Sequence, residues 1–180
     1  MRDSMTDSEL TERVDTRGTN HRQSFLGSHR AFAACTREFA RLSDEIRQSV
    51  AALQGVATDE KTTVRQSPDR FIVQLGPVAL TIAWLRHGSD MVESGELLVI
   101  VWRGVVAPSQ RVQPERPRVG PAPFAATALW EQVFTPIAED ETSWAWQPIG
   151  QGGESWSSTS LSAMCVERLR AAYQECSAAD

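Results

Sequence analysis

The sequence predicts an α+β domain: an antiparallel four- to five-stranded meander packed against a long N-terminal helix and a C-terminal helix. Three observations lead there. The run DRFIVQLGPVALTIAWLRHGSDMVESGELLVIVWRG, from Asp69 to Gly104, holds three apolar, β-branched segments parted by Gly76-Pro77 and by a polar loop. Upstream, apolar residues recur at helical spacing. Near the C-terminus Leu161, Cys165, Leu169, Ala172 and Cys176 repeat that spacing.

Taken in order, residues 1–23 alternate acids with arginines and are poor in large hydrophobes. Such a segment cannot offset the entropy of ordering and is expected to be a disordered polar tail, leaving 24–180 as a single α+β domain. It has no apolar h-region and so reads as neither signal peptide nor membrane anchor. No run in the chain approaches the ~18 apolar residues that span a bilayer.

A helix is predicted from Ser28 to Gln54. Phe32, Cys35, Phe39, Leu42, Ile46, Val50 and Leu53 form one stripe, with Ser28 as N-cap. Gly55-Val56 supplies a Schellman stop. The other face carries Arg37, Glu38, Arg41, Asp44, Glu45 and Arg47. An i,i+4 pair such as Arg41–Glu45 adds only ~0.2–0.5 kcal/mol, so burial of the stripe must hold the helix. About 26 helical residues reach roughly 39 Å, against ~27 Å for an eight-residue strand. The helix is expected to pack on its own sheet, its length leaving one end to overhang, bend or meet a second copy.

Val56 to Pro68 reads as a polar connection. Strands follow over Phe71–Leu75, Val78–Leu85 and Leu97–Trp102, the last apolar on both faces and therefore central. Pro108 to Pro123, rich in proline and arginine, is an irregular loop. Phe124 to Ala138 favours a fourth strand, with a helix over Ala125–Val133 as the alternative. Glu139-Asp140-Glu141 is an acidic turn, and Ser143–Gln147 a short fifth strand. After a Gly/Ser-rich loop, a second helix runs from Thr159 to Cys176, capped by Ser158, Thr159 or Ser160.

The chain has 180 residues, a net charge of −5 and a single lysine, Lys61, among 18 basic residues. Acidity argues against a general nucleic-acid binder, and the arginine bias fits a GC-rich, bacterial-like composition. The three cysteines, Cys35, Cys165 and Cys176, are odd in number and have no zinc spacing. Cys165 and Cys176 would lie roughly 16 Å apart along one helix, too far for a disulfide. All three are expected to be small core hydrophobes in a reduced, cytoplasmic protein.

Chemistry-bearing patterns are sparse. His21 falls in the tail, His29 at a helix start, and His87 in the Arg86–Gly95 loop; none has a packed partner set in prospect. Gly153-Glu154-Ser155-Trp156-Ser157 lacks the second glycine of a nucleophile elbow. Phosphate-loop, dinucleotide, metalloprotease and calcium-loop patterns are absent, and neither a metal site nor a cofactor is expected. The unusual feature is six tryptophans beside one tyrosine. Five of them fall on predicted strands. Trp84, Trp102, Trp144 and Trp146, with Arg103 nearby, would make a ligand-binding platform if they shared one exposed face; otherwise they are core.

The function expected is a non-catalytic interaction module that binds a protein partner, or itself, through the long helix or a sheet edge. Membrane and nucleic acid are not expected as partners. A small-ligand binder with a tryptophan-lined pocket is the alternative, and a hydrolase with an unrecognised site the third.

Overall fold

The computed structural model describes residues 25–53, 62–86, 91–106, 126–150 and 154–178. The expected tail, the Gly55-Val56 stop, His87 and the Pro108–Pro123 loop lie outside them. Two helices, α1 (His29–Leu53) and α2 (Ser158–Ser177), flank the strands β1 (Thr62–Ser67), β2 (Arg70–Leu75), β3 (Val78–Leu85), β4 (Glu96–Arg103), β5 (Thr127–Ala138) and β6 (Trp144–Pro148). The strands pair in sequence order, each antiparallel to the next, in one six-stranded sheet. The class is the α+β expected, with one strand more than the four to five predicted.

The additional strand is β1, inside the segment read as a polar connection. Its side chains are almost all exposed, so burial leaves no apolar alternation in TTVRQS. The signal that was present is local: three β-branched residues, then the Pro68-Asp69 turn. For Phe124–Ala138, the strand reading holds over Thr127–Ala138. Pro136 is tolerated there because the β4 pairing ends at Leu97↔Phe134. Beyond that point no β4 residue awaits its missing N–H.

One face of the sheet carries Phe71, Val73, Leu75, Val78, Leu80, Ile82, Trp84, Leu97, Val99, Val101, Phe134 and Trp146, all buried in a single cluster with both helices. The α2 stripe of Leu161, Cys165, Leu169, Ala172 and Cys176 is buried as its spacing predicts, and all three cysteines are free and buried. Each fully buried Leu or Ile here contributes ~1.5–3 kcal/mol, several times the worth of a surface ion pair. The opposite face is also apolar at its centre, where Ile72, Ala79, Thr81, Ala83 and Ile100 are buried.

The direction of α1 is set by contacts along its whole length. Arg30 and Arg37 reach Glu141 in the β5–β6 turn, Arg86 after β3 lies over the Phe32 ring, and Arg47 bonds Gln66 of β1. The helix therefore crosses the strands instead of following them. It also lies along α2. Its stripe is buried from Ala31 to Val50, within the chain's own core.

Between the helices runs a polar chain. Ser158 Oγ donates to Glu38 at 2.7 Å and accepts from the Trp146 indole N–H at 3.0 Å. Glu45 accepts from Arg41, Thr159 and Ser162. Because Ser158 is engaged this way, capping passes to its neighbour: Ser157 Oγ accepts from Ser160 N at 3.1 Å, one residue before the expected caps. At α1, Ser28 Oγ accepts from Ala31 N as predicted. Ser157→Ala is expected to cost about 1 kcal/mol, read as a lower urea midpoint at unchanged slope.

Candidate functional site

The five residues singled out from the sequence are not assembled into one surface. Trp84, Trp144 and Trp146 meet on the helix-covered face, with Trp146 edge-on to Trp84 at 6.0 Å and to Trp144 at 5.8 Å. Trp84 and Trp146 are buried and Trp144 half-buried. Trp102 lies on the other face, where its indole N–H donates to Thr81 Oγ1 at 3.0 Å. Arg103 pairs with Val78 and Trp84 with Leu97, so the two sit at opposite ends of the β3–β4 ladder.

Two hollows adjoin Trp84. The smaller one, lined by Phe32, Cys35, Thr36, Phe39, Pro68, Trp84 and Arg86, holds about 10 Å³. That is room for one water, far below the ~300–1,000 Å³ of a ligand pocket. Burial pushes the Cys35 thiol up to about 12, which keeps it out of thiolate chemistry at neutral pH. The second, of about 560 Å³ along Pro68, Asp69, Trp84, Leu85 and Arg86, is a shallow depression open to solvent.

Asp140, Glu141 and Ser157 are engaged in structure. Asp140 Oδ1 accepts from Thr142 N, Thr142 Oγ1 and Ser143 N, closing the acidic turn on itself. Glu141 is taken by two arginines, at 2.8 Å from Arg30 and 3.2 Å from Arg37. Of the Gly153–Ser157 run, Ser157 is the α2 cap. Among the described residues no three His, Cys, Asp or Glu side chains group to hold a metal.

Hydrogen bonding to Arg30, aided by the charges of Arg30 and Arg37, lowers the Glu141 carboxyl below its ordinary 4.5. The stability this pair contributes is present above that ordinary value and is lost as pH falls through the lowered one. Stability of the wild type should therefore drop more steeply than that of Glu141→Gln below pH 4.5, and the two curves should run parallel above it. Urea titrations at stepped pH measure this. Because Glu141 is exposed, salt should shrink the difference.

What the fold leaves open is backbone. In an antiparallel ladder, hydrogen-bonded and non-bonded pairs alternate, so one known bond fixes the rest. Trp84 N donates to Asp69 O at 2.8 Å, which makes Asp69–Trp84 a bonded pair. By the registers of β2 with β3 and of β1 with β2, Phe71, Val73 and Leu75 then bond β3, while Arg70, Ile72 and Gln74 bond β1. Their partners Ser67, Arg65 and Thr63 turn inward. Thr62, Val64 and Gln66 turn their N–H and C=O groups away from the sheet. Carried across β4, β5 and β6, the same alternation turns Val133 toward β6 and Trp146 away from β5, to the outer side of β6. The bonds Ile149 N to Val133 O, Trp146 N to Trp156 O and Trp156 N to Trp146 O agree with it.

The two edges thus differ. The middle of β6 is closed by the Trp156 bridge, and the pairing of β6 with β5 covers only Val133–Ala138, leaving Thr127–Gln132 beyond it. Among the described residues nothing pairs with the outer side of β1. This strand has neither bulge nor proline, and its register with β2 is unbroken over six residues. Natural edges are usually blunted by charges, prolines or bulges. Here Arg65 of the strand itself donates to the Val106 carbonyl, and Arg47 of α1 to Asp44 and Gln66. Comparison with protein-family models, with curated proteins and with solved structures finds no match.

Proposed function

We propose that this chain is an interaction module that adds an extended segment of a protein partner to the open edge of β1. The observation that carries the reading is the unbroken row of outward N–H and C=O groups on Thr62, Val64 and Gln66, where the edge strand β6 has its middle bridged by Trp156. Strand addition draws its affinity from such main-chain groups. The long helix, the other surface considered, has its apolar stripe buried within the chain's own core. That leaves β1 as the stronger candidate of the two. The tryptophan pocket is disfavoured by the one-water recess and by the separation of Trp102 from Trp84.

The ladder itself supplies the test. Val64→Pro removes an outward N–H and no bond to β2, whereas Arg65→Pro removes an inward one. Val64→Pro is expected to keep the far-ultraviolet circular dichroism spectrum and to lose at most about 1 kcal/mol. Arg65→Pro should lose more. Proteins captured from the native lysate by the wild type should be lost with Val64→Pro, and amide exchange at Thr62, Val64 and Gln66 should slow in the complex. Identical capture by wild type and Val64→Pro, with no protection at those amides, would move binding to another surface and refute the reading.

A further inference from the structure

We infer that the strand β1 accepts can be β1 of a second copy of this chain, antiparallel about a two-fold axis through Val64; this rests on the reading of β1 as an open edge. The register follows from the geometry. Opposed residues in one sheet share a face, so the two numbers in each pair must sum to an even number. The outward residues are 62, 64 and 66, and only a centre at 64 pairs all three with outward residues of the partner strand. Val64 then faces Val64, and Thr62 faces Gln66 on either side. Thr63 faces Arg65 on the opposite face. Three outward pairs exchange main-chain bonds across the axis.

The side chains suit a copy of themselves. Val64, the one large exposed hydrophobic residue of β1, meets its twin on the helix-side face, as an apolar cross-strand pair. The register keeps the two Arg65 residues from lying opposite each other, and each guanidinium is already bonded back to Val106 O. Arg47 of α1 is likewise held on its own chain by Asp44 and Gln66. Beyond Arg47, the exposed residues of the last turns of α1 are Gln48, Ser49, Ala51 and Ala52, small or neutral, so a second helix brought alongside meets no like charge. A foreign peptide would draw its specificity from side-chain pockets flanking the edge; the hollows near Trp84 offer a one-water recess and a shallow depression. A strand-to-strand contact of this size is below the ~1,200 Å² of standard interfaces, so the dimer should form reversibly as concentration rises.

Sedimentation of the full chain at increasing concentration is the test. The expected result is a shift from 19.9 kDa toward twice that mass, abolished by Val64→Pro at unchanged circular dichroism. Register is read with cysteine variants under mild oxidation. Val64→Cys should form an intermolecular disulfide, since bonded antiparallel pairs hold Cα atoms about 5.5 Å apart. Thr63→Cys, two residues out of register with its twin, should not. The native cysteines are buried and provide the unreactive background. A chain that stays monomeric at all concentrations, or a dimer that survives Val64→Pro, overturns the inference. In the first case, capture of lysate proteins that still depends on Val64 would leave β1 as a docking edge for other partners and remove only the second copy.

Discussion

Gly95→Ala should destabilise this fold by about 3 kcal/mol, the upper end of what overpacking usually costs. The backbone at Gly95 is ordinary for any residue, with φ −86°, so conformational freedom is not what selects glycine here. Space is. A Cβ at this position would lie 2.1 Å from Cζ2 of Trp84, 2.7 Å from Cη2 and 2.9 Å from Cε2. The indole has little room to retreat, because Trp146 stands edge-on to it at 6.0 Å and the α1 side chains Phe32, Cys35 and Phe39 line the recess beside it. Gly95 cannot easily withdraw either, since its N–H closes the 3₁₀ turn on Val92 O and Val92 is buried. A double-mutant cycle isolates the clash. In a Trp84→Leu background, where the ring is gone, Gly95→Ala should cost far less than in the wild type. Equal cost in both backgrounds, measured by urea unfolding, would mean that the ring is not the obstacle.

The same pair shows why the sequence was legible in some places and not in others. Periodicity revealed both helices and the three apolar strands, because in each the buried face recurs at a fixed step. It could not reveal that Gly95 touches Trp84, since that contact depends on how β3 and the turn before β4 fold together. The tryptophans are the sharper case. Alternation placed Trp84 and Trp102 on strands, but whether they share a face depends on β3–β4 register. Pairing Trp84 with Leu97 and Trp102 with Ala79 sends them to opposite faces. A sheet edge was among the expected surfaces, but the strand that forms it was missed for the converse reason. β1 is exposed on its flanks and outer edge, so no hydrophobic pattern marks it, and its outward groups are main-chain atoms that every residue carries. The Thr62-Thr63-Val64 run and the Pro68-Asp69 turn were its only sequence signals. The direction of α1 was equally hidden: nothing in its stripe tells that it crosses the strands, from Glu141 to Gln66.

Trp146→Ala should be the other severe substitution, costing about 3–5 kcal/mol as a buried aromatic lost to a cavity. Trp146 is 0% exposed and joins three parts of the fold. Its ring contacts Trp84 and Trp144, its indole N–H enters the Ser158–Glu38 chain between the helices, and its backbone holds Trp156 against the edge of β6. Packing and hydrogen bonding can be separated. Trp146→Phe keeps an aromatic ring and deletes the N–H. Ser158→Ala keeps the indole and strands its N–H without an acceptor, expected to cost about 1–3 kcal/mol. Since both changes remove the same bond, the double variant should lose less than the sum of the singles. Strict additivity would show that the indole–serine bond contributes nothing, and that α2 is held on β6 by ring packing alone. A large non-additive term would instead place the junction of α1, α2 and β6 on one polar chain that begins at a tryptophan.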